Sequence, residues 1–397
     1  MADYLGWDIG GVHLKLSRLS CSEGTAVFGT RIIPFEIWKN PAGLAGQLRA
    51  MLGPPAHGTG APGRIAAPDH IAASGRIVAH GITMTAELSD AFASRNDGVR
   101  AILTACEDAL AGAPLRVLDL DGAFVSCEEA KERPLRVAAA NWMATARLAA
   151  RLADEALLID VGSTTTDIVP LAGGSPRPAG RTDTERLTSG ELVYTGILRT
   201  PPASLVDVVP LAGGWCRVAP EHFAVTADVY RVLGAIDDTA YTVPTPNGRG
   251  TGRDESAARL ARVVCSDLAT LGMPAVEAIA AWIHHRQVER IADGVRQVMS
   301  RAGSKGVRVA IVAGAGAFLA EEAARSVGLE TARLASLLRG VGGDGWDQAA
   351  PSAALALLLA EAEGEPALQR AWVEGAAARG ASWRGRSPAG TSARDAE

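Results

Sequence analysis

The chain is poor in the residues that carry most metal, redox and nucleophilic chemistry. Its 397 residues include only five cysteines and seven histidines. Cys21, Cys106, Cys127, Cys216 and Cys265 are odd in number, widely spaced and never in a Cys-x-x-Cys pair, which excludes a disulfide framework and a zinc ribbon. They read as reduced thiols, buried more often than reactive. His284 and His285 have no third ligand at a useful spacing and read as surface residues, while His13 reads as a structural histidine beside a turn. No Ser-His-Asp arrangement is visible. Positive charge is not in excess either: 39 Lys and Arg face 44 Asp and Glu, so the electrostatic footprint of a nucleic-acid binder is missing. No run approaches the roughly 20 apolar residues of a membrane span. The start lacks the basic region and apolar stretch of a signal peptide. The expectation is a cytoplasmic protein with no nucleic-acid and no membrane partner; a homo-oligomer is left open.

What the chain has is glycine, 44 residues of it, and at three strand ends glycine stands in a turn with a chemical pattern. The first is Leu5-Gly-Trp-Asp8-Ile-Gly10-Gly11. The second, about 150 residues on, is Leu157-Leu-Ile-Asp160-Val-Gly162-Ser163-Thr164-Thr165-Thr166-Asp167. In each, glycines let backbone N–H groups approach anionic oxygens, hydroxyls add donors, and the strand-end Asp offers a hard carboxylate to Mg²⁺. Two such turns can face one phosphate-bearing ligand. The third is Val307-Arg-Val-Ala-Ile-Val-Ala313-Gly314-Ala315-Gly316-Ala317-Phe318-Leu319, a strand that breaks at Gly-x-Gly and restarts as a helix. A dinucleotide fingerprint would need a following βαβ unit with an acidic ribose ligand, and none follows.

Alternating strand patterns occupy 4–19 and 26–33, and Lys39 to Leu52 looks helical. Pro54 to Arg76 is Gly/Pro/Ala-rich and reads as a surface loop. Ile82 to Asp90 has strand-to-helix character, with Thr as an N-cap and acids in the first turn set against a ligand role. Helices are expected over Asp97–Leu110, Ala139–Arg151, Glu255–Leu271, Pro274–Ala302 and Pro351–Glu361, with a hairpin around Leu115–Val125. Val169-Pro-Leu-Ala-Gly-Gly174 recurs as Val209-Pro-Leu-Ala-Gly-Gly214, which reads as two hairpins. Between them, Thr188-Ser-Gly190-Glu191-Leu-Val-Tyr194-Thr-Gly196 could line a pocket or form a solvated loop. From about Arg379 the composition is that of a disordered tail.

The order of the three turns resembles the superfamily of sugar kinases, actin and heat-shock chaperones. That implies an α/β, two-domain actin-like, ribonuclease H-like fold, with one lobe over 1–154, a second over 155–364 and an extension over 365–397. Further blocks narrow the resemblance: Trp7-Asp-Ile-Gly-Gly11 with Lys15, Thr83-Met-Thr-Ala-Glu-Leu88 with Asp90, Ala140-Asn141-Trp142, Glu191-Leu-Val-Tyr-Thr-Gly196 and Thr226-Ala-Asp228-Val-Tyr-Arg-Val-Leu-Gly234. Together they look like the hydantoinase/oxoprolinase-like family of the methanopterin-linked one-carbon pathway.

The resemblance implies an alkyl transfer that needs Mg²⁺ and no ATP. An aminomethylfuran-methyl diphosphate is joined to the phenol of a glutamylated tyramine, or of a tyrosine-type acceptor in methylotrophic bacteria, with release of diphosphate. Asp8 and Asp160 would form the Mg²⁺ shell. Gly10, Gly11, Gly162, Ser163, Thr164 and Thr165 would donate to the diphosphate, and Lys15, where kinase-like relatives carry a hydroxyl or acid, would meet its charge. Asp167 is a candidate base for the phenol or a second metal-shell ligand, with Glu191 as runner-up for the base. The competing reading is an ATP-dependent hydantoinase, oxoprolinase or small-molecule kinase holding adenosine at Gly314 and Gly316. A non-catalytic nucleotide switch is a third. ATP turnover separates the second from the first.

Overall fold

A computed structural model describes residues 1–22, 25–53, 75–301, 306–338 and 346–366. Most of the loop expected over 54–76, and nearly all of the extension expected over 365–397, lie outside the described residues. The first sheet is built from β1 (Ala2–Ile9), β2 (His13–Ser22), β3 (Thr25–Pro34), β4 (Arg76–Met84), β5 (Leu115–Leu118) and β6 (Phe124–Ser126), in the order β3-β2-β1-β4-β5-β6. The second contains β7 (Glu155–Val161), β8 (Thr166–Ala172), β9 (Ser175–Pro176) and β10 (Leu192–Val193). After a separate hairpin, β11 (Val208–Leu211) and β12 (Gly214–Arg217), it is completed by β13 (Val309–Ala313) and β14 (Glu330–Arg333), in the order β10-β8-β7-β13-β14.

Both sheets follow one plan. An antiparallel trio, β3-β2-β1 or β10-β8-β7, is extended by two strands parallel to its last member. This is the two-lobe, actin-like arrangement. Strand periodicity then aims the strand-end acids. On β1, Leu5, Trp7 and Ile9 face outward into a core with α1 (Leu44–Leu52) and α2 (Arg95–Ala109). Tyr4, Gly6 and Asp8 therefore share the inward face. On β7, Leu157, Ile159 and Val161 face outward and Ala156 and Leu158 inward, so Asp160 closes the inward row. Alternation alone points both carboxylates at the space between the lobes.

Beyond α3 (Cys127–Glu132) come α4 (Asn141–Ala150) and α5 (Asp183–Ser189), then α6 (Thr226–Val232), α7 (Arg253–Ala261), α8 (Leu268–Leu271) and α9 (Met273–Met299). The chain continues through α10 (Ala317–Ser326) and α11 (Leu334–Leu337) to α12 (Ala350–Ala362). The inner layer is crossed: α4 lies against β7, β8 and β9 of the second sheet, whereas α12 lies against β1, β2 and β4 of the first. Residues Ala350 to Ala360 of α12 are all buried, as befits a helix apolar on every side. Its approach to β1 depends on Gly6, where a Cβ would stand 2.0 Å from the Ser352 carbonyl oxygen.

Several expected elements shift. The segment 82–90 does not start a helix; it runs on in turns until Ser94, whose Oγ accepts from the Asp97 amide at 3.2 Å and caps α2. The helix expected from Lys39 begins at Leu44, after a 3-10 turn capped by Asn40. Both copies of the repeated Val-Pro-Leu-Ala-Gly-Gly segment do turn hairpins, β8 into β9 and β11 into β12. Cys21, Cys106 and Cys127 are buried, Cys216 is half-buried and Cys265 exposed, and all five are free thiols. Among the described residues no helix is long and apolar enough to cross a membrane.

Candidate functional site

Asp8 and Asp160 open into an interlobe cleft of about 1020 Å³, and the turns that follow them line it with Gly10, Gly11, Gly162, Ser163, Thr164 and Thr165. The two turns close alike. Gly10 donates its amide to the His13 carbonyl at 3.0 Å, and Gly162 donates to Thr165 at 2.9 Å. Across the first hairpin Asp8 pairs with Lys15, and across the second Asp160 pairs with Asp167. Lys15 Nζ stands 3.4 Å from Asp8 Oδ2. Burial, with the charge of Asp167 added, pushes Asp160 up to about 7, against the pull of Lys15 and Thr145. Asp167 is likewise raised by burial, opposed by buried Arg186, whose Nη1 donates to Asp167 Oδ1 at 2.9 Å. Arg186 is in turn stacked on Trp142, 3.9 Å from the ring centroid.

The second turn is held from below. Ile197 donates to the Gly162 carbonyl at 3.0 Å, and Leu198 and Arg199 donate to Ser163 at 3.0 and 3.1 Å. The Gly196 carbonyl that anchors this segment receives Thr226 Oγ1 and Gln287 Nε2, each at 2.9 Å. Gly314 lines the cleft behind Asp160: its φ is +87°, and a Cβ there would lie 2.4 Å from Asp160 Oδ1. Gly316 is not brought to the cleft. Its amide donates to Val161 at 2.9 Å and it leads into α10, so its part is to pack the third turn onto β7.

The cleft lining mixes acids with cations, and most of the cations are paired with those acids. Lys15 is joined by Arg199, exposed in the cleft and without an ion pair among the described residues. The N-terminal ends of α4 and α12 also reach the cleft through Asn141, Trp142, Ala350 and Pro351, and neither has an acid in its first turn. His13 stays neutral; burial and then the charge of Lys15 lower it to about 4, and its Nε2 meets the Thr242 carbonyl at 3.0 Å. Among the described residues no cluster of three or more His, Cys, Asp or Glu forms a metal cage. Two carboxylates still fit Mg²⁺, which takes one or two and fills its shell with phosphate oxygens and water. Asp8 Oδ1 is buried without a hydrogen-bond partner, as a ligand awaiting such an ion would be.

Glu191 requires a correction. Its side chain is fully buried and outside the cleft. Its oxygens accept from the amides of Ala179 at 2.7 Å and Gly180 at 3.0 Å, and Arg301 Nη1 holds it at 2.5 Å. With its lone pairs committed it is a structural clamp and no base. Of the same sequence block, Leu192 and the exposed Tyr194 do line the cleft. Trp7 packs in the core with its indole N–H on His80 Nδ1 at 3.1 Å, while Trp142 reaches the cleft wall. The sequence reading passed over Arg199, Arg186, Arg95, Asp347 and the character of Glu87, all of which line the cleft. Glu87 could be taken for a helix first-turn acid; the capping signature at Ser94 was the signal against that.

The hydantoinase/oxoprolinase family profile matches residues 79–340. The chain is 33% identical over 298 residues to the (4-{4-[2-(gamma-L-glutamylamino)ethyl]phenoxymethyl}furan-2-yl)methanamine synthase of Methanocaldococcus jannaschii, covering 75% of this chain and 82% of that one. The like-named protein of Methanococcus vannielii is 34% identical over 151 residues, 38% of this chain and 68% of its own. Among solved structures, nucleotide-free acetone carboxylase aligns with a TM-score of 0.47 and 13% identity over 82% of this chain and 67% of that one. Ethanolamine utilization protein EutJ from Carboxydothermus hydrogenoformans aligns with a TM-score of 0.43 and 12% identity over 89% of each chain.

Proposed function

We propose a function from the premise that this chain belongs to the hydantoinase/oxoprolinase family. It is a transferase of methanofuran-type cofactor assembly. It joins an aminomethylfuran-methyl diphosphate to the phenol oxygen of a glutamylated tyramine or tyrosine and releases diphosphate. The carrying observation is that one cleft is lined by a glycine and hydroxyl cradle, by two strand-end acids fit for Mg²⁺, by Lys15 and Arg199, and by the N-terminal ends of two helices. That surface suits a departing polyanion. The furan oxygen spreads positive charge from the ring-attached CH₂, so the barrier lies largely in neutralising the leaving group.

In the reaction the bond from CH₂ to the diphosphate oxygen breaks with its electron pair on diphosphate, and the phenol oxygen bonds to CH₂. The phenol proton passes to Asp167, which lines the cleft and is kept in position by Arg186. Gly10, Gly11, Gly162, Ser163, Thr164 and Thr165 orient the diphosphate with amides and hydroxyls. Asp8 and Asp160 would hold Mg²⁺, which would supply Lewis-acid stabilisation of the leaving diphosphate. Free thiols suit a reducing compartment, and we place the reaction in the cytoplasm.

One observation favours an ATP-dependent hydantoinase or kinase instead: Gly314 and Phe318 line the same cleft where an adenosine could rest. The separating experiment incubates the protein and Mg²⁺ with the furan diphosphate and a glutamyl-tyramine or glutamyl-tyrosine, with and without ATP. Ether and diphosphate without ATP establish the transferase. ATP hydrolysis on adding a cyclic amide, with no ether from any phenol, transfers the assignment to the hydantoinase class.

A further inference from the structure

Two buried glutamates in this protein differ in one respect. Glu191 has its carboxylate oxygens filled by two backbone amides and an arginine. Glu87, equally without solvent exposure, lines the cleft with neither oxygen in a well-formed hydrogen bond; only its own backbone amide and that of Ala139 act weakly on the carboxylate. Its nearest cation is Arg95, whose Nε lies 3.6 Å away, itself without a hydrogen bond, and whose Nη2 is drawn to Asp183 at 2.6 Å. A buried carboxylate left this way is strongly disfavoured relative to one with full donors. Burial pushes Glu87 up to about 7 despite Arg95. Nearby on the same cleft lining, Ala139 is held at φ +50°, a strained conformation for a residue with a Cβ. The Ala139 amide acts on the Glu87 carboxylate, so the strained residue and the poorly met acceptors meet on one cleft wall.

We propose that Glu87 binds the primary ammonium of the furan substrate and thereby fixes which end of the ring faces the phosphate turns. The inference rests on the transferase reading above. An ammonium brings three donors and a positive charge to a carboxylate with about four lone-pair sites, which no single phenol hydroxyl can match. The diphosphate is excluded from this wall by its charge. Position agrees: Glu87 follows Thr85, whose amide donates to the Ile9 carbonyl at 3.0 Å, so it stands one strand end from the Asp8 turn. A substrate that is anionic at one end and cationic at the other then finds Lys15, Arg199 and Glu87 in the lining of one cleft.

The test compares the aminomethyl substrate with an analogue carrying methyl in place of aminomethyl, in the wild type and in Glu87→Gln, following ether formation with Mg²⁺ present. The wild type is expected to show a KM roughly 10- to 100-fold higher for the methyl analogue, the size of a charge-assisted hydrogen bond. Glu87→Gln should raise the KM of the amine substrate by a similar factor and leave the analogue within about threefold. An equal loss of kcat with both substrates, or an unchanged KM for the amine, overturns the inference while leaving the transferase intact. Absence of ether from the wild type with either substrate sinks the transferase reading itself. If Glu87→Gln fails to fold, the wild-type comparison decides: no preference for the amine overturns the assignment.

Discussion

In the first lobe the strand-end carboxylate of Asp8 faces Lys15 across its hairpin; in the second, the same spacing places Asp167 opposite Asp160. The backbones match, down to the amide-to-carbonyl closure at Gly10 and Gly162. The chemistry does not. The first turn sets Lys15 beside one oxygen of its acid, while the other oxygen has no hydrogen-bond partner. The second stacks acid on acid, and its balance must come from Arg186 and from a bound cation. Two copies of one fold element thus acquire direction, and a ligand with a metal-binding end and an anionic end would have one preferred way to lie between them.

The largest expected effect comes from the acid-rich turn. Asp160→Asn removes a carboxylate we propose for the metal shell, and on that proposal ether formation should fall by roughly a thousandfold or more. Diphosphate release under saturating substrate measures it, and retention of a tenth of the wild-type rate would break the comparison. Next, Lys15→Asp rewrites the first turn as a copy of the second. We expect kcat/KM for the furan diphosphate to fall about a hundredfold, with Lys15→Arg recovering part of the loss. If both turns tolerate acid equally, the charge asymmetry is incidental.

Stability sharpens the same contrast between committed and uncommitted acids. Glu87 has a folded pKa of about 7 against an ordinary 4.5, so the native state holds a proton that the unfolded chain has lost between those values. Stability from this group is fullest below about 4.5 and declines as pH rises to about 7. Glu87→Gln should therefore raise free-protein stability by about 2–3 kcal/mol at pH 8 and change little near pH 4, as read by urea unfolding. Glu191→Gln should act with opposite sign, costing about 1–3 kcal/mol because the new NH₂ leaves one backbone amide without its acceptor and Arg301 without its counter-charge. The smallest effect is expected from Gln287→Leu, which loosens the Gly196 carbonyl beneath the second turn. Its kcat/KM should drop about three- to tenfold, from mispositioning alone.

The three turns were legible because glycine, hydroxyl and aspartate at a strand end make a local signal, and strand alternation decides which way the aspartate points. Asp8, Lys15, Asp160, Asp167 and Gly314 all reach the cleft for that reason. Glu191 misled because its neighbours are pocket-like in composition, while its hydrogen bonds come from Ala179, Gly180 and Arg301, which only the fold brings near. Glu87 hid behind a false helix start. Arg199 carries no pattern at all; it reaches the cleft because its amide is tied to Ser163. The crossing of α4 and α12 was equally out of reach, since an all-apolar helix has no face from which to read its partner.

That crossing has a consequence for how the protein is made. The inward faces of β1, β2 and β4 are covered by α12, which the ribosome delivers last of all the described helices. Roughly 270 residues separate the end of β4 from the start of α12, so at typical synthesis rates the sheet waits about 15–50 seconds for its cover. During that interval a broad apolar surface is without its native partner and is a natural client for chaperones. The first lobe is translated first and finished last, and a chain stalled before Ala350 would leave it open to aggregation however well the second lobe had folded.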